Sequence, residues 1–480
     1  MRVSGRACMM GTPQSVPSIM NVAKELVFDP LLMRRFDVPG PRYTSYPTAD
    51  RFNFSHDARA HASRLGSRTP SAGPLSIYIH VPFCDTICYY CACNKIITKD
   101  HARADIYVDN LLREMAMKAA LLSGSRDIAQ LHLGGGTPTF LNDEQMTRVI
   151  EGLRRHFRFL DSAQCSIEMD PRGVTAARIA HLGSLGFNRI SVGVQDFDPV
   201  VQRAVNRIQS VEETEVVLRA ARDNGFVSTG IDLIYGLPGQ TPDSFGATLD
   251  TLVRLAPDRV AIYHYAHLPK QFMPQRRIDE SMLPGSEVRP QLLRLAIDRL
   301  HQAGYVHVGM DHFARPDDEL AQAQRHGRLQ RNFQGYSTHA GCDLIGLGVS
   351  AISRVGASFA QNHRTLESWT QALDDGELPV MRGLDMTPDD SVRAAVIGAL
   401  MCHFELSIEA IESTYPIDFK QYFATELEEL QELEDAGLLR VEPDWIAITP
   451  RGRLLVRAIC MVFDRYLRLD SETVRYSKVV

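Results

Sequence analysis

Residues 77–93 read IYIHVPFCDTICYYCAC. The stretch opens as a short apolar run of strand composition, Ile77 to Val81, and breaks at Pro82. Four cysteines follow within ten residues: Cys84, Cys88, Cys91 and Cys93, the first three spaced C-x3-C-x2-C. Three thiolates on one short loop can wrap a single compact cluster. An iron–sulfur cube takes four ligands, so three from the protein leave one iron open to a small molecule. A four-cysteine zinc site usually arrives as two C-x2-C pairs well apart in sequence; here all four crowd together and no second pair follows. A disulfide pair is the remaining reading, and nothing in the sequence suggests export. Phe83, Tyr89 and Tyr90 flank the cysteines and would keep water from a redox centre.

From residue 76 to about 313, β-rich runs alternate with helical ones. Strands are expected at 76–81, 130–133, 165–168, 189–194, 229–234 and 259–265. Between them the helices carry clear punctuation. Asn142 caps a helix whose apolar stripe is Met146, Val149, Ile150, Leu153 and Phe157. Ser210 and Glu213 form a capping box closed by Gly225, and Thr241 caps a helix that starts at Pro242. A further stripe, Leu292, Leu293, Ala296, Ile297 and Leu300, stops at Gly304. Such alternation implies right-handed βαβ units on a parallel sheet. Six units fit a partial (β/α)6 barrel; periodicity alone fits an open doubly wound sheet equally.

Ligands gather at the C-terminal ends of parallel strands, and the unusual polar residues fall there. The cysteine loop follows strand one and Gly134-Gly135-Gly136-Thr137-Pro138 follows strand two. Glu168-Met169-Asp170 closes strand three, Gln195-Asp196 strand four, Tyr235-Gly236-Leu237-Pro238 strand five and Ala266-His267 strand six. The glycines allow close backbone approach and expose N–H groups, or make an ordinary tight turn. Glu168, ending an apolar strand, needs a partner such as Arg189 or a ligand. Asp232, in a run of Ile, Leu and Tyr, is the least expected charge in the chain. Tyr78 and His80 share one face of strand one by alternation.

The 480 residues hold one large domain plus appendages, and 44% hydrophobic content builds a substantial core. A net charge of −6 gives no basic field for nucleic acid. No apolar run approaches membrane-spanning length, so no membrane association is expected. Cys8, Cys165, Cys342, Cys402 and Cys460 read as small apolar residues; an odd count of nine fits a reducing cytoplasm. The first twenty residues carry Arg2 and Arg6 but no long apolar core, so no signal peptide is expected.

The C-x3-C-x2-C loop after a strand resembles the signature of the radical S-adenosylmethionine (SAM) superfamily. With Cys93 completing C-x3-C-x2-C-x-C, and with PGPRYTSYPT at 39–48, the chain is similar to the oxygen-independent coproporphyrinogen III oxidases from about residue 35 to 470. That resemblance implies a 4Fe-4S cluster on Cys84, Cys88 and Cys91, with Cys93 not a ligand, in a partial (β/α)6 barrel. It implies two SAM molecules. Tyr78, Gly135, Gly136, Thr137, Glu168 and Ile352 contact the first. Gln195, Arg207, Asp232 and Ala266, with the Gly-rich loop, bind the second, and Tyr90 packs nearby. His80 and Arg207 become the candidate catalytic residues, His80 as a donor near the substrate. The implied reaction converts two propionates of coproporphyrinogen III to vinyl groups through a 5′-deoxyadenosyl radical. A monomer is expected, reduced by a small electron-transfer protein such as flavodoxin or ferredoxin. The tyrosines of 43–46 would cover a flat macrocycle, Arg42 would meet a propionate, and Arg315 or Arg331 could serve its other carboxylates. The alternative is a haem-delivering paralogue with the same core and no oxidase activity.

The organisation expected is an N-terminal extension and covering segment (1–70), the barrel (71–315), a connecting extension (316–380) and a mainly helical C-terminal domain (381–480). In the last, Val392, Val396, Ile397, Leu400 and Met401 form a stripe. An acidic helix at 426–435 then precedes a winged-helix-like unit. The acidity argues against DNA binding, leaving a lid or support role.

Overall fold

The computed structural model describes residues 26–69, 71–339, 341–469 and 476–479. Arg2, Arg6 and Cys8, and with them the leader question, lie outside the described residues. Six parallel strands follow one another in sequence and in space: β1 (Leu75–Val81), β2 (Asp127–Gly135), β3 (Arg158–Met169), β4 (Arg189–Gln195), β5 (Ser228–Tyr235) and β6 (Arg259–His264). Helices α1 (Arg103–Leu121), α2 (Asp143–His156), α3 (Ala176–Ser184), α4 (Val211–Asp223) and α5 (Pro242–Leu255) make the crossovers. A doubly wound sheet would reverse direction beside its first strand. The unbroken order β1 to β6 is therefore a barrel winding. It stays open, because β1 and β6 do not pair.

The sheet then extends beyond both ends of that run. After α6 (Val288–Gln302), β7 (Val306–Gly309) and β8 (His312–Ala314) add antiparallel strands beside β6. On the other side of β1 lie β9 (Asp343–Leu347), parallel to it, then antiparallel β10 (Ile352–Val355), β11 (Ser358–Asn362) and β12 (Val380–Asp385). The segment 316–380 thus supplies strands to the barrel sheet itself.

Local sequence explains the helices. Asn142 with Gln145, Ser210 with Glu213 and Thr241 with Ser244 form reciprocal capping boxes, each stabilising its helix by about 1 kcal/mol. Alternation along β1 sends Ile77, Ile79 and Val81 into the core, all fully buried. The intervening Ser76, Tyr78 and His80 face the lumen. Ser76 meets Gln130 at 2.9 Å, and Tyr78 stacks on His132.

The C-terminal region begins with α7 (Pro388–His403), whose stripe from Val392 to Met401 is buried. A three-stranded sheet (Glu405–Ser407, Trp445–Ile448, Leu439–Val441) follows, with α8 (Ala424–Asp435) and α9 (Val456–Val462). The N-terminal segment straps it to the barrel. Pro39 bridges Lys478, Asn53 bridges Gly383, Arg457 Nε donates to the Pro41 carbonyl at 2.7 Å, and the Tyr43 hydroxyl bonds Asp464 at 3.0 Å.

Candidate active site

The cysteine loop is pinned by backbone contacts before any ligand is considered. Gly136 N–H donates to Val81 and Thr137 N–H to Phe83, both at 2.8 Å, while Ile96 N–H donates to the Pro82 carbonyl at 2.7 Å. Tyr89 N–H donates to Val205 at 2.9 Å. Gln275 clasps the far side: its Nε2 donates to the carbonyls of Tyr90 and Ala266, each at 3.1 Å. Ala266 therefore lies against the loop, beyond the end of β6.

Cys84, Cys88 and Cys91 turn toward one another, close enough that the charges of Cys91 and Cys88 are felt at Cys84. Burial pushes the Cys84 thiol up to about 11, although Thr137 Oγ1 donates to its sulfur at 3.4 Å. Contact with the Cys93 side chain, and the nearby Lys95 ammonium, bring Cys91 down to about 6 against the effect of burial. Lys95 Nζ also bonds the Cys91 carbonyl at 3.0 Å. Among the described residues no trio of His, Cys, Asp or Glu is close enough to hold a single metal ion. Three of these thiols suit a cube with one open corner; Cys93, the loop's fourth thiol, lies against Cys91.

Three glycines line the entrance for steric reasons. A Cβ on Gly134 would come within 2.9 Å of Glu168 Oε2, one on Gly135 within 2.7 Å of the His80 ring, and one on Gly136 within 2.6 Å of the Pro82 carbonyl. Gly135 also takes φ +119°, a region closed to other residues. Glu168 accepts from Gly135 N–H at 3.3 Å and bonds His132 Nε2 at 3.2 Å. It lies deep in the barrel, yet 45% of its side chain meets the lumen. Burial works against its charge, but His132 and the Gly135 N–H outweigh this and hold the carboxyl below its usual range. Arg189, the expected partner, instead pairs with Glu319 at 2.8 Å. Tyr78 hydroxyl meets His80 Nδ1 at 3.1 Å, and His80 Nε2 reaches the Asn94 carbonyl at 2.9 Å. Burial depresses the His80 pKa, so the ring is neutral and bridges the lumen wall to the cysteine loop.

The remaining predicted residues converge on Gly193. Arg207 Nη2 donates to its carbonyl, Asp232 is its register partner on β5, and Gln195 Nε2 lies 2.8 Å from where its Cβ would be. Gln195 takes φ +70°, a strained choice for a non-glycine residue. Arg207 joins this group to the cluster loop, with Nη1 3.5 Å from Cys88 Sγ and 3.0 Å from Asp170 Oδ2. The Tyr90 hydroxyl reaches the same sulfur. Asp232 accepts from Ser191 Oγ at 3.2 Å; burial, then the Glu168 charge, push it up to about 7. Ile352 opens β10 one strand beyond β9, its backbone filling the space beside Gly346, which is the register partner of Tyr78. Sequence reasoning missed His132, Asp170 and Gln275. The signal for His132 was the alternation Gln130, His132, Gly134 along β2.

A strand-one loop with three convergent thiolates, a glycine-rich turn on strand two and an acid on strand three, in an open six-strand barrel, define a radical SAM protein. The Radical SAM superfamily model matches residues 78–252 and the HemN C-terminal domain model residues 386–455. An oxygen-independent coproporphyrinogen III oxidase of Pseudomonas aeruginosa is 50% identical over 94% of this chain and 99% of its own length. That of Escherichia coli (strain K12) is 46% identical over 95% and 99%. A solved structure described as "Coproporphyrinogen III oxidase (HemN) from Escherichia coli is a Radical SAM enzyme" superimposes with a TM-score of 0.88 at 46% identity, covering 92% of this chain and all of that one. The chain belongs to the oxygen-independent coproporphyrinogen III oxidase family. Membership of the radical SAM superfamily implies a 4Fe-4S cluster and SAM. Among the described residues no helix is long and apolar enough to cross a membrane.

Proposed function

We propose that this protein carries out the anaerobic oxidative decarboxylation of two propionate side chains of coproporphyrinogen III, giving protoporphyrinogen IX in haem synthesis. Each propionate loses a β-hydrogen atom, CO2 and one electron, leaving a vinyl group. The observation that carries this reading is the convergence of Cys84, Cys88 and Cys91 with the Gly-rich turn at one mouth of the barrel, in a chain of which 94% matches a member of that family.

Bound SAM and its cluster supply a 5′-deoxyadenosyl radical, and the protein supplies position and dryness. Gly135, Gly136 and Thr137 offer close backbone approach to a first SAM, Glu168 its charge, and Tyr78 and Ile352 its walls. Glu168 is kept ionised by His132 and the Gly135 N–H, so it can hold an ammonium group without taking its proton. Gln195, Arg207 and Asp232, gathered on Gly193, together with Ala266 and Tyr90, would hold a second SAM, in keeping with two successive decarboxylations. Neutral His80 gives its Nε2–H to the Asn94 carbonyl and accepts at Nδ1 from the Tyr78 hydroxyl, so it positions Tyr78 and the cysteine loop instead of donating to the substrate. Arg207 orients through Cys88 and Asp170 as well as by contact. Phe83, Tyr89 and Tyr90 shield the cluster position. Electrons enter from a small reducing partner of the flavodoxin or ferredoxin kind, and the protein acts in the cytoplasm as a monomer.

The test is an anaerobic incubation with SAM, a reductant and coproporphyrinogen III. The expected products are 5′-deoxyadenosine, CO2 and the divinyl porphyrinogen. SAM cleavage without the divinyl product would leave the reaction class standing and remove the substrate.

A further inference from the structure

A cavity of about 540 Å³ lies between the 43–46 segment, the hairpin 330–337, β10 and α7. Among the described residues no Asp or Glu lines it, yet Arg331 and Arg354 both do. Arg331 Nε and Nη1 are buried with no hydrogen-bond partner, its guanidinium resting 4.8 Å from the Tyr336 ring centre. Arg354, exposed on β10, lies 5.8 Å from the Phe359 ring centre. The acids whose charge reaches them are already engaged: Asp311 pairs with Arg42, and Asp343 with Arg68 at 2.7 Å. His339 Nε2 and His403 Nδ1, also on the wall, lack partners too. A buried guanidinium without an acceptor is costly unless something else supplies one.

The rest of the wall is mixed, with polar Thr44, Gln330 and Asn332 beside apolar faces. Phe333 and Phe359 supply rings, and Ala394, Ala395 and Ile397 a low-relief helix face. The cavity adjoins the proposed SAM position. Phe333 and Phe359 pack against Ile352, and Ser76 on its wall is two residues from Tyr78 on the same face of β1, roughly 7 Å along the strand. The other candidate cations are excluded by their surroundings. Arg42 is taken by Asp311, and Arg315 lines a separate pocket with Asp317, Asp318 and Glu319.

We propose that this cavity receives the flat body of the tetrapyrrole and that Arg331 and Arg354 hold those of its propionates that are not reacting. The assignment rests on the substrate reading above and names the residues that would make it specific. A tetra-anion with an apolar ring matches a wall of two unpaired guanidinium groups, two unpartnered imidazoles and aromatic faces; a neutral ligand would leave the cations stranded.

The test uses the stable oxidised form, coproporphyrin III, titrated by fluorescence into the full chain without SAM. Saturable binding is expected for the wild type. Arg331→Gln and Arg354→Gln should each weaken it by about tenfold, as for loss of a charge-assisted hydrogen bond. Arg331→Lys should weaken it less, and Ala395→Glu, which places an anion on the apolar wall, should weaken it as well. Melting temperatures report whether each variant folds. The SAM-induced change in the electron paramagnetic resonance (EPR) spectrum of the reduced cluster should persist in all four. Variants that bind as the wild type does, or a tetramethyl ester that binds as tightly as the acid, overturn the proposal and leave the activity reading intact. A wild type that neither binds coproporphyrin nor converts coproporphyrinogen overturns both.

Discussion

Gly136→Ala separates two reasons for the glycine run after β2. If the glycines serve only to approach SAM, the substitution harms SAM binding and leaves the empty protein alone. The geometry says otherwise. The added methyl would lie 2.6 Å from the Pro82 carbonyl oxygen and 2.8 Å from that of Phe83, where ordinary contact begins at 3.4 Å. Both are backbone atoms of the cysteine loop, and neither can rotate away. Pro82 also accepts from Ile96, and Phe83 from Thr137. Overpacking costs about 1–3 kcal/mol, and straining two backbone hydrogen bonds adds about 1 kcal/mol each. A loss of roughly 3–5 kcal/mol follows, in the apoprotein. Gly398→Ala in α7 is the control: its methyl meets nothing within 4 Å, so it should stabilise by about 0.5–1 kcal/mol through helix propensity alone. Thermal melts of the apoproteins and iron content after reconstitution read both. A Gly136→Ala protein that melts with the wild type and takes up full iron refutes the argument.

Cys93→Ser should retain cluster iron, whereas serine at Cys84, Cys88 or Cys91 should abolish it, measured by iron and sulfide content. Asp232→Asn should stabilise the protein above pH 7, by an amount of order 2 kcal/mol after screening by lumen water. The folded carboxyl titrates at about 7 against 3.8 when free. The wild type therefore bears the full cost of ionisation above pH 7, and the gain from asparagine should vanish as pH falls from 7 toward 4 in parallel melts. Lys118→Met leaves Glu114 charged and fully buried where they paired at 2.7 Å, costing roughly 3–5 kcal/mol. Adding Glu114→Gln should recover part of that in a denaturant titration, because the amide oxygen can still accept from Gly348 N–H and Trp369 Nε1, which share one carboxylate oxygen in the wild type.

Much of this was legible in the sequence because local signals agreed with the global winding. Each capping box stands where Asn142, Ser210 and Thr241 announced it, and each barrel strand lies within a few residues of its expected span. Strand β3 was the exception. Its first half, from Arg158, carries mostly exposed polar residues that give no apolar run. The strands β7 to β12 were not legible. They are short and mostly antiparallel, and the parallel β9 pairs with β1 across more than 260 residues of chain, a match set by tertiary packing. Site residues were found where chemistry was costly in context, as with Asp232. Pairings were not: Glu168 pairs with His132 on the neighbouring strand and not with an arginine, because lumen neighbours are set by register. Arg42 was read as a substrate contact and is instead held by Asp311.

The central claim is that three thiolates hold a four-iron cube whose open corner takes SAM. Anaerobic reconstitution followed by EPR of the reduced protein, with and without SAM, tests it directly. The account predicts about four iron and four sulfide per chain and a spectrum that changes when SAM is added. One metal ion per chain, or a cluster spectrum indifferent to SAM, would contradict it.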